Sequence, residues 1–178
     1  MQGFLDRFEE LAERTGAREA HEIGCGEGEL SIRLAGLGLR VRGSDASAEV
    51  IEEARRRSAD ARADVEFRVA PVETLDPARD AAELVVCCEV MEHLPDPDAA
   101  LKTLAALAAP WTIVSVPREP LWRLLNLARL RYVSALGNTP GHLQHWSRRG
   151  LVDFLGRRLE VVEVSGPVPW TMALCRHR

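Results

Sequence analysis

The sequence predicts an α/β fold: a doubly wound seven-stranded sheet, mostly parallel, that ends in a C-terminal antiparallel hairpin. Short runs of β-forming residues alternate with helical runs, the order expected of a parallel sheet with helices on both faces. The last two runs are joined only by Ser165-Gly166-Pro167-Val168-Pro169, which is too short for a crossover, so these strands must pair antiparallel. Gly24, Gly26 and Gly28 punctuate an early strand-to-helix turn, as in Rossmann-like sheets whose backbone closely approaches a ligand.

Phe4, Leu5, Phe8, Leu11 and Ala12 recur at helical spacing, so a first helix is expected over 3–15, with Gly16 as its stop. Strands are expected at 20–24, 40–44, 65–69, 84–88, 112–116, 159–164 and 170–175. Between them, helices are expected at 29–37, 48–58, 97–108, 121–136 and 147–155, the second capped by Ser47. The 178 residues, 46% of them hydrophobic, suffice for one ordinary core. A single domain over 1–178 is therefore expected, with a lid or insertion at 117–146.

No N-terminal apolar segment resembles a signal peptide, and no run reaches the roughly 18 apolar residues of a membrane span. A cytoplasmic protein is expected. Cys25, Cys87, Cys88 and Cys175 lack zinc-ligand spacing and read as buried, reduced thiols. The net charge of −4 is uneven: residues 117–159 hold eight arginines against Glu119 and Asp153, locally 8 − 2 = +6. That segment suits an anionic surface or simply solvated helix faces. Lys102 is the sole lysine, which argues against Schiff-base chemistry.

The stretch Glu22-Ile23-Gly24-Cys25-Gly26-Glu27-Gly28 departs from the G-x-G-x-x-G spacing of dinucleotide sites. It resembles motif I of the class I S-adenosylmethionine-dependent methyltransferases, and the likeness runs from Glu22 to Cys175. Asp45 falls where that family keeps its ribose-binding acid. The resemblance implies S-adenosylmethionine as cofactor, with Glu22, Gly24, Cys25, Gly26 and Gly28 beside its methionine part. It places Asp45 and Ala46 at the ribose, Val72 and Glu73 near the adenine, and Cys88 and Glu89 at the end of the fourth strand.

In Glu89-Val90-Met91-Glu92-His93-Leu94-Pro95-Asp96-Pro97, a helical turn would put Glu89, Glu92 and His93 on one side, as ligands for a divalent metal. His142 or His145 could add a fourth ligand to this magnesium or zinc site. The stretch resembles the E-V-x-E-H-x-P-D-P form of the ubiquinone-biosynthesis O-methyltransferases. It also shares E-x-x-E-H with small-RNA 3′-end 2′-O-methyltransferases, in which these residues hold a metal. Methyl transfer to oxygen needs a base, and His142, His145 and His93 are the candidates.

Leu121, Trp122, Leu124, Leu125, Leu127, Leu130, Tyr132 and Val133, with Arg123, Arg129 and Arg131, suggest a substrate lid, a peripheral membrane or lipid contact through 121–136, or a homodimer contact. The leading expectation is methylation, on oxygen, of a small aromatic or lipophilic acceptor. The alternatives are a metal-assisted RNA 2′-O-methyltransferase and a non-catalytic cofactor-binding subunit. The acidic overall charge and the lack of an RNA-binding appendage count against nucleic acid.

Overall fold

The computed structural model describes residues 1–178. The elements run α1 (Gln2–Thr15), β1 (Glu19–Ile23), α2 (Glu29–Gly36), β2 (Arg40–Asp45), α3 (Ala48–Ala61) and β3 (Val65–Val69). They continue through α4 (Pro77–Asp80), β4 (Ala82–Cys88), α5 (Pro97–Leu107), β5 (Ala108–Pro117), α6 (Leu121–Ala128), α7 (Arg148–Leu155), β6 (Leu159–Ser165) and β7 (Trp170–His177). Strand order is β3-β2-β1-β4-β5-β7-β6, with β7 antiparallel to both β5 and β6 and the other pairs parallel. The expected architecture is therefore found, and the terminal hairpin places β7 inside the edge.

Helix ends follow local chemistry. Gly16 closes α1 in the left-handed conformation that glycine adopts without strain. The side chains of Ser47, Asp96 and Ser147 accept backbone N–H groups at the starts of α3, α5 and α7. The sheet is apolar on both faces. Leu84, Val86 and Cys88 of β4 pack with Phe8 and Leu11 of α1 and Leu34 of α2, whereas Val85 and Cys87 face Leu104 of α5 and Leu151 of α7. This strict alternation between two buried faces is what a central parallel strand requires. All four cysteines are free and buried, as expected.

The 121–136 helix is a correction, since α6 stops at Ala128. The buried Asn126 side chain donates to the Gly137 carbonyl and to Thr139 Oγ1, folding the chain back across the helix end. Leu130, Tyr132 and Leu136 then take left-handed backbone angles incompatible with a continuing helix. α4 and a three-residue 3₁₀ turn at 72–74 were not expected. No helix is long and apolar enough to cross a membrane.

Sequence-adjacent crossovers diverge between β1, which leads to β2 on one side, and its other neighbour β4. In such sheets the crevice beyond the carboxyl ends of these strands receives the ligand. Glu22, Gly24, Cys25, Gly26, Cys88 and Glu89 lie there.

Candidate active site

The loop from Gly24 to Gly28 is clamped to the end of β2. The Ser44 carbonyl accepts the N–H groups of Gly24 and Cys25 at 2.7 and 3.0 Å. Asp45 Oδ2 accepts Gly26 N–H at 3.0 Å and Oδ1 accepts Ser47 N–H at 2.9 Å. Asp45 thus couples the glycine loop to the start of α3. Behind it, buried His21 donates from Nδ1 to the Asp80 carbonyl and accepts the Ser44 hydroxyl at Nε2, both at 2.9 Å. Burial lowers its pKa, so this histidine is neutral and structural.

Gly28 has φ +81°, and a Cβ there would lie 2.8 Å from Phe67 Cζ, so a side chain is excluded by both backbone and packing. Gly26 differs: at φ +52° its Cβ would meet no atom within 4 Å. The loop is open toward a cavity of about 510 Å³.

Glu22, Gly24, Cys25, Gly26, Cys88 and Glu89 line this cavity, and the sequence reading brought these residues together. Phe4, Leu5, Trp122 and Trp170 form its apolar wall, while Glu27, Glu29 and Arg57 form a charged rim. Arg57 pairs with Glu27 at 3.0 Å and with Glu29 at 2.6 Å. The aromatic wall was missed because its members come from α1, α6 and β7. Its rings meet only in three dimensions, Phe4–Trp170 at 5.1 Å and Trp122–Trp170 at 5.9 Å.

Neither of the two residues assigned to the adenine lines this cavity, and neither do Gly28, Asp45 and Ala46. Val72 is buried in the core packed on α5, and exposed Glu73 faces a separate cavity with Leu75, Pro77 and Lys102. Both belong to the 3₁₀ turn that follows β3. Ala46 is exposed beside Asp45.

Glu22 is fully buried, and its one side-chain hydrogen bond is from Ser31 Oγ. Burial pushes its pKa from 4.5 up to about 8. The folded state therefore holds this proton more tightly than the unfolded chain. The stabilising contribution is complete below pH 4.5 and is lost as pH rises toward about 8, at up to about 1.4 kcal/mol per pH unit. Urea unfolding between these limits should show stability falling with pH, and Glu22→Gln should flatten that fall. An undiminished slope in the variant would contradict the assignment.

Past β4, the expected helical turn is absent. Glu89 takes φ +60°, and only Met91–His93 form a 3₁₀ turn. The left-handed residue breaks the spacing that would have aligned Glu89 with Glu92 and His93. Instead Glu89 Oε1 accepts from Ser115 Oγ at 2.9 Å, and Oε2 accepts from Trp170 Nε1 at 2.7 Å. Glu89 therefore leaves the expected metal-ligand set.

Ligand atoms of Glu92, His93 and His142 lie within 4.8 Å of one another. Glu92 carries the loop: its carbonyl accepts the N–H groups of Leu143 and Gln144 at 2.7 and 3.0 Å, which brings His142 to the turn. Its side chain is 2% exposed, and neither carboxyl oxygen has a hydrogen-bond partner. Burial, with the charge of Glu89, raises its pKa. His93 Nδ1 lies 3.0 Å from the Gly141 carbonyl and must donate to it, so Nε2 is the ring nitrogen left for a ligand. His142 is buried edge-on to His93 and near-parallel to Trp122, with ring centroids at 4.9 and 6.1 Å. Burial and the neighbouring His93 and His145 lower its pKa to about 4, leaving it neutral. His145 is exposed, bonds Asn138 Oδ1 at 2.7 Å and stands outside the group.

The description of one protein family, a methyltransferase domain, matches residues 20–110, the span from β1 into β5 that builds this crevice. The chain belongs to that family. The chain is 33% identical over 136 residues to a ubiquinone biosynthesis O-methyltransferase of Bordetella avium (strain 197N), covering 74% of this chain and 56% of the relative. It spans little more than half the length of several such relatives. With the protein of the same name from Xanthomonas euvesicatoria pv. vesicatoria (strain 85-10), identity is 37% over 176 residues, covering 89% and 70% of the two chains. Among solved structures, magnesium protoporphyrin IX methyltransferase from Synechocystis PCC 6803 with bound SAH superposes with a TM-score of 0.77 at 20% identity, over 99% of this chain and 84% of that one. At that identity the likeness establishes the fold.

Proposed function

We propose that this methyltransferase binds S-adenosylmethionine in the crevice beside Gly24–Gly28 and Asp45 and methylates a hydroxyl of a small lipophilic aromatic acceptor. The observation that carries this reading is a single cavity with two unlike walls. One is the polar glycine loop clamped by Asp45, suited to the donor, and the other is the apolar ring of Phe4, Trp122 and Trp170. The relatives named ubiquinone biosynthesis O-methyltransferase support oxygen as the accepting atom.

The acceptor oxygen forms the bond to the sulfonium methyl as the methyl–sulfur bond breaks, and the hydroxyl proton must leave. The protein's part is to align the two reactants and exclude water, which the buried aromatic wall favours. His142, kept neutral by burial, and His93 stand together on the Glu92 side of this region and are the proposed proton acceptors or ligands.

The fit of a divalent cation to Glu92, His93 and His142 is supported by the buried, wholly unpartnered Glu92 carboxyl, because such a group normally has a partner. One carboxylate and two imidazoles suit zinc or a similar transition ion better than magnesium, which prefers oxygen ligands. Bound there, a cation would supply Lewis-acid lowering of a hydroxyl pKa. Exposed Leu124, Leu130, Val133 and Leu136 beside Arg123, Arg129 and Arg131 support a lipid-surface contact by which an apolar acceptor is delivered.

Transfer of labelled methyl from S-adenosylmethionine to alkylated catechols, compared with RNA bearing a 3′-terminal ribose diol, tests the reading. Transfer to the catechols is expected. Transfer to RNA alone would replace this reading with the RNA one, and donor binding without transfer to any acceptor would favour a non-catalytic subunit.

A further inference from the structure

We infer that the Glu89 carboxylate recognises the positive charge on the donor's sulfonium, so that the site favours the charged methyl donor over its uncharged-sulfur product. This rests on the donor-site reading above and adds a specificity-determining residue to it.

Buried carboxylates are normally matched by a cation, because an isolated charge inside a protein is costly. Of the four carboxylates lining the cavity, Glu27 and Glu29 are matched by Arg57, and Glu22 is buried against the Ser31 hydroxyl with its pKa raised to about 8, which leaves Glu89. Glu89 makes no ion pair. Its partners are the Ser115 hydroxyl and the Trp170 indole N–H, neutral donors that orient both oxygens without cancelling their charge. Its backbone is held at φ +60°, an uncommon conformation for a residue other than glycine, which persists where the surrounding structure imposes it.

Position gives this unmatched charge its meaning. Glu89 follows Cys88 at the carboxyl end of β4, beside the glycine loop, and is tied to Trp170 of the aromatic wall. The methyl must cross from donor to acceptor where these two walls meet. The atom bearing the methyl is positively charged before transfer and neutral after it. A carboxylate at that junction loses an attractive interaction when the methyl departs, which favours product release.

The test is calorimetric titration of the full chain and its Glu89→Gln variant with S-adenosylmethionine and S-adenosylhomocysteine, at about pH 8.5, above the value of about 7 to which burial raises the Glu89 carboxyl. The variant should bind the methionine form about tenfold or more weakly and the homocysteine form within about threefold of wild type. Retained homocysteine binding also shows that the variant's pocket is intact. Equal weakening of both ligands, or no weakening of the methionine form, overturns the inference alone. Failure of the wild-type chain to bind either compound overturns both the inference and the donor-site reading beneath it.

Discussion

Replacing Gly26 with valine is expected to weaken S-adenosylmethionine binding by at least about a hundredfold, equivalent to about 2.7 kcal/mol, while leaving a folded protein. The added atoms project from φ +52° into space with no protein atom within 4 Å of the Cβ, which is the space the proposed donor would fill. A left-handed valine costs about 1–3 kcal/mol, well below the roughly 5–15 kcal/mol by which ordinary domains are stable. Gly28→Val is the informative contrast. It carries the same kind of backbone cost, and its Cβ meets Phe67 Cζ at 2.8 Å and the Ala54 Cβ at 3.2 Å, so overpacking adds about 1–3 kcal/mol. Urea unfolding should rank Gly28→Val as the less stable protein. Titration should show Gly26→Val to have lost the donor site without losing the fold. Donor affinity within threefold of wild type in Gly26→Val would remove the glycine loop from the site.

Glu92→Met is the second substitution with a large expected effect, and its two consequences have opposite signs. In protein stripped of metal by a chelator, it removes a buried carboxyl with no partner and substitutes an apolar chain of similar size. Stability should rise by about 1–3 kcal/mol. Zinc binding should fall by at least about a hundredfold, together with methyl transfer, as a carboxylate ligand is lost. The loop carrying His142 should stay in place, because it hangs on the Glu92 carbonyl rather than on the side chain. Denaturation of chelated protein and zinc titration of the same samples check both signs. Lower stability without metal would mean that the carboxyl serves the fold, and unchanged zinc affinity would dismiss the cation site.

Much of the architecture was legible because it rests on local patterns. The apolar run of β4, the glycine stop of α1 and the short hairpin link each specify their element without distant help. Gly24, Gly26 and Gly28 were legible for a related reason, since a turn that needs left-handed backbone writes glycines into neighbouring residues, and Asp45 was legible because it closes the next strand at the spacing of the resembled family. The Glu89 to His93 stretch was legible only in part. Its spacing suits a helix, but hydrogen bonds from Ser115 and Trp170, distant in sequence, hold Glu89 outside one. At α6, Asn126 is one polar residue within an apolar helical pattern, and its bonds to Gly137 and Thr139 outweigh that pattern. The Phe4, Trp122 and Trp170 wall joins the first helix, the insertion and the last strand, so no local spacing encodes it.

The central claim is that the cavity between the glycine loop and the aromatic wall holds S-adenosylmethionine with Asp45 as one of its anchors. Isothermal titration of the wild-type chain and of Asp45→Ala with S-adenosylmethionine measures this most directly. One donor should bind per wild-type chain, and Asp45→Ala should bind it about tenfold or more weakly, since the variant loses both a ribose partner and the clamp on Gly26 N–H. No heat of binding in the wild-type protein, or equal affinity in the two proteins, would contradict it.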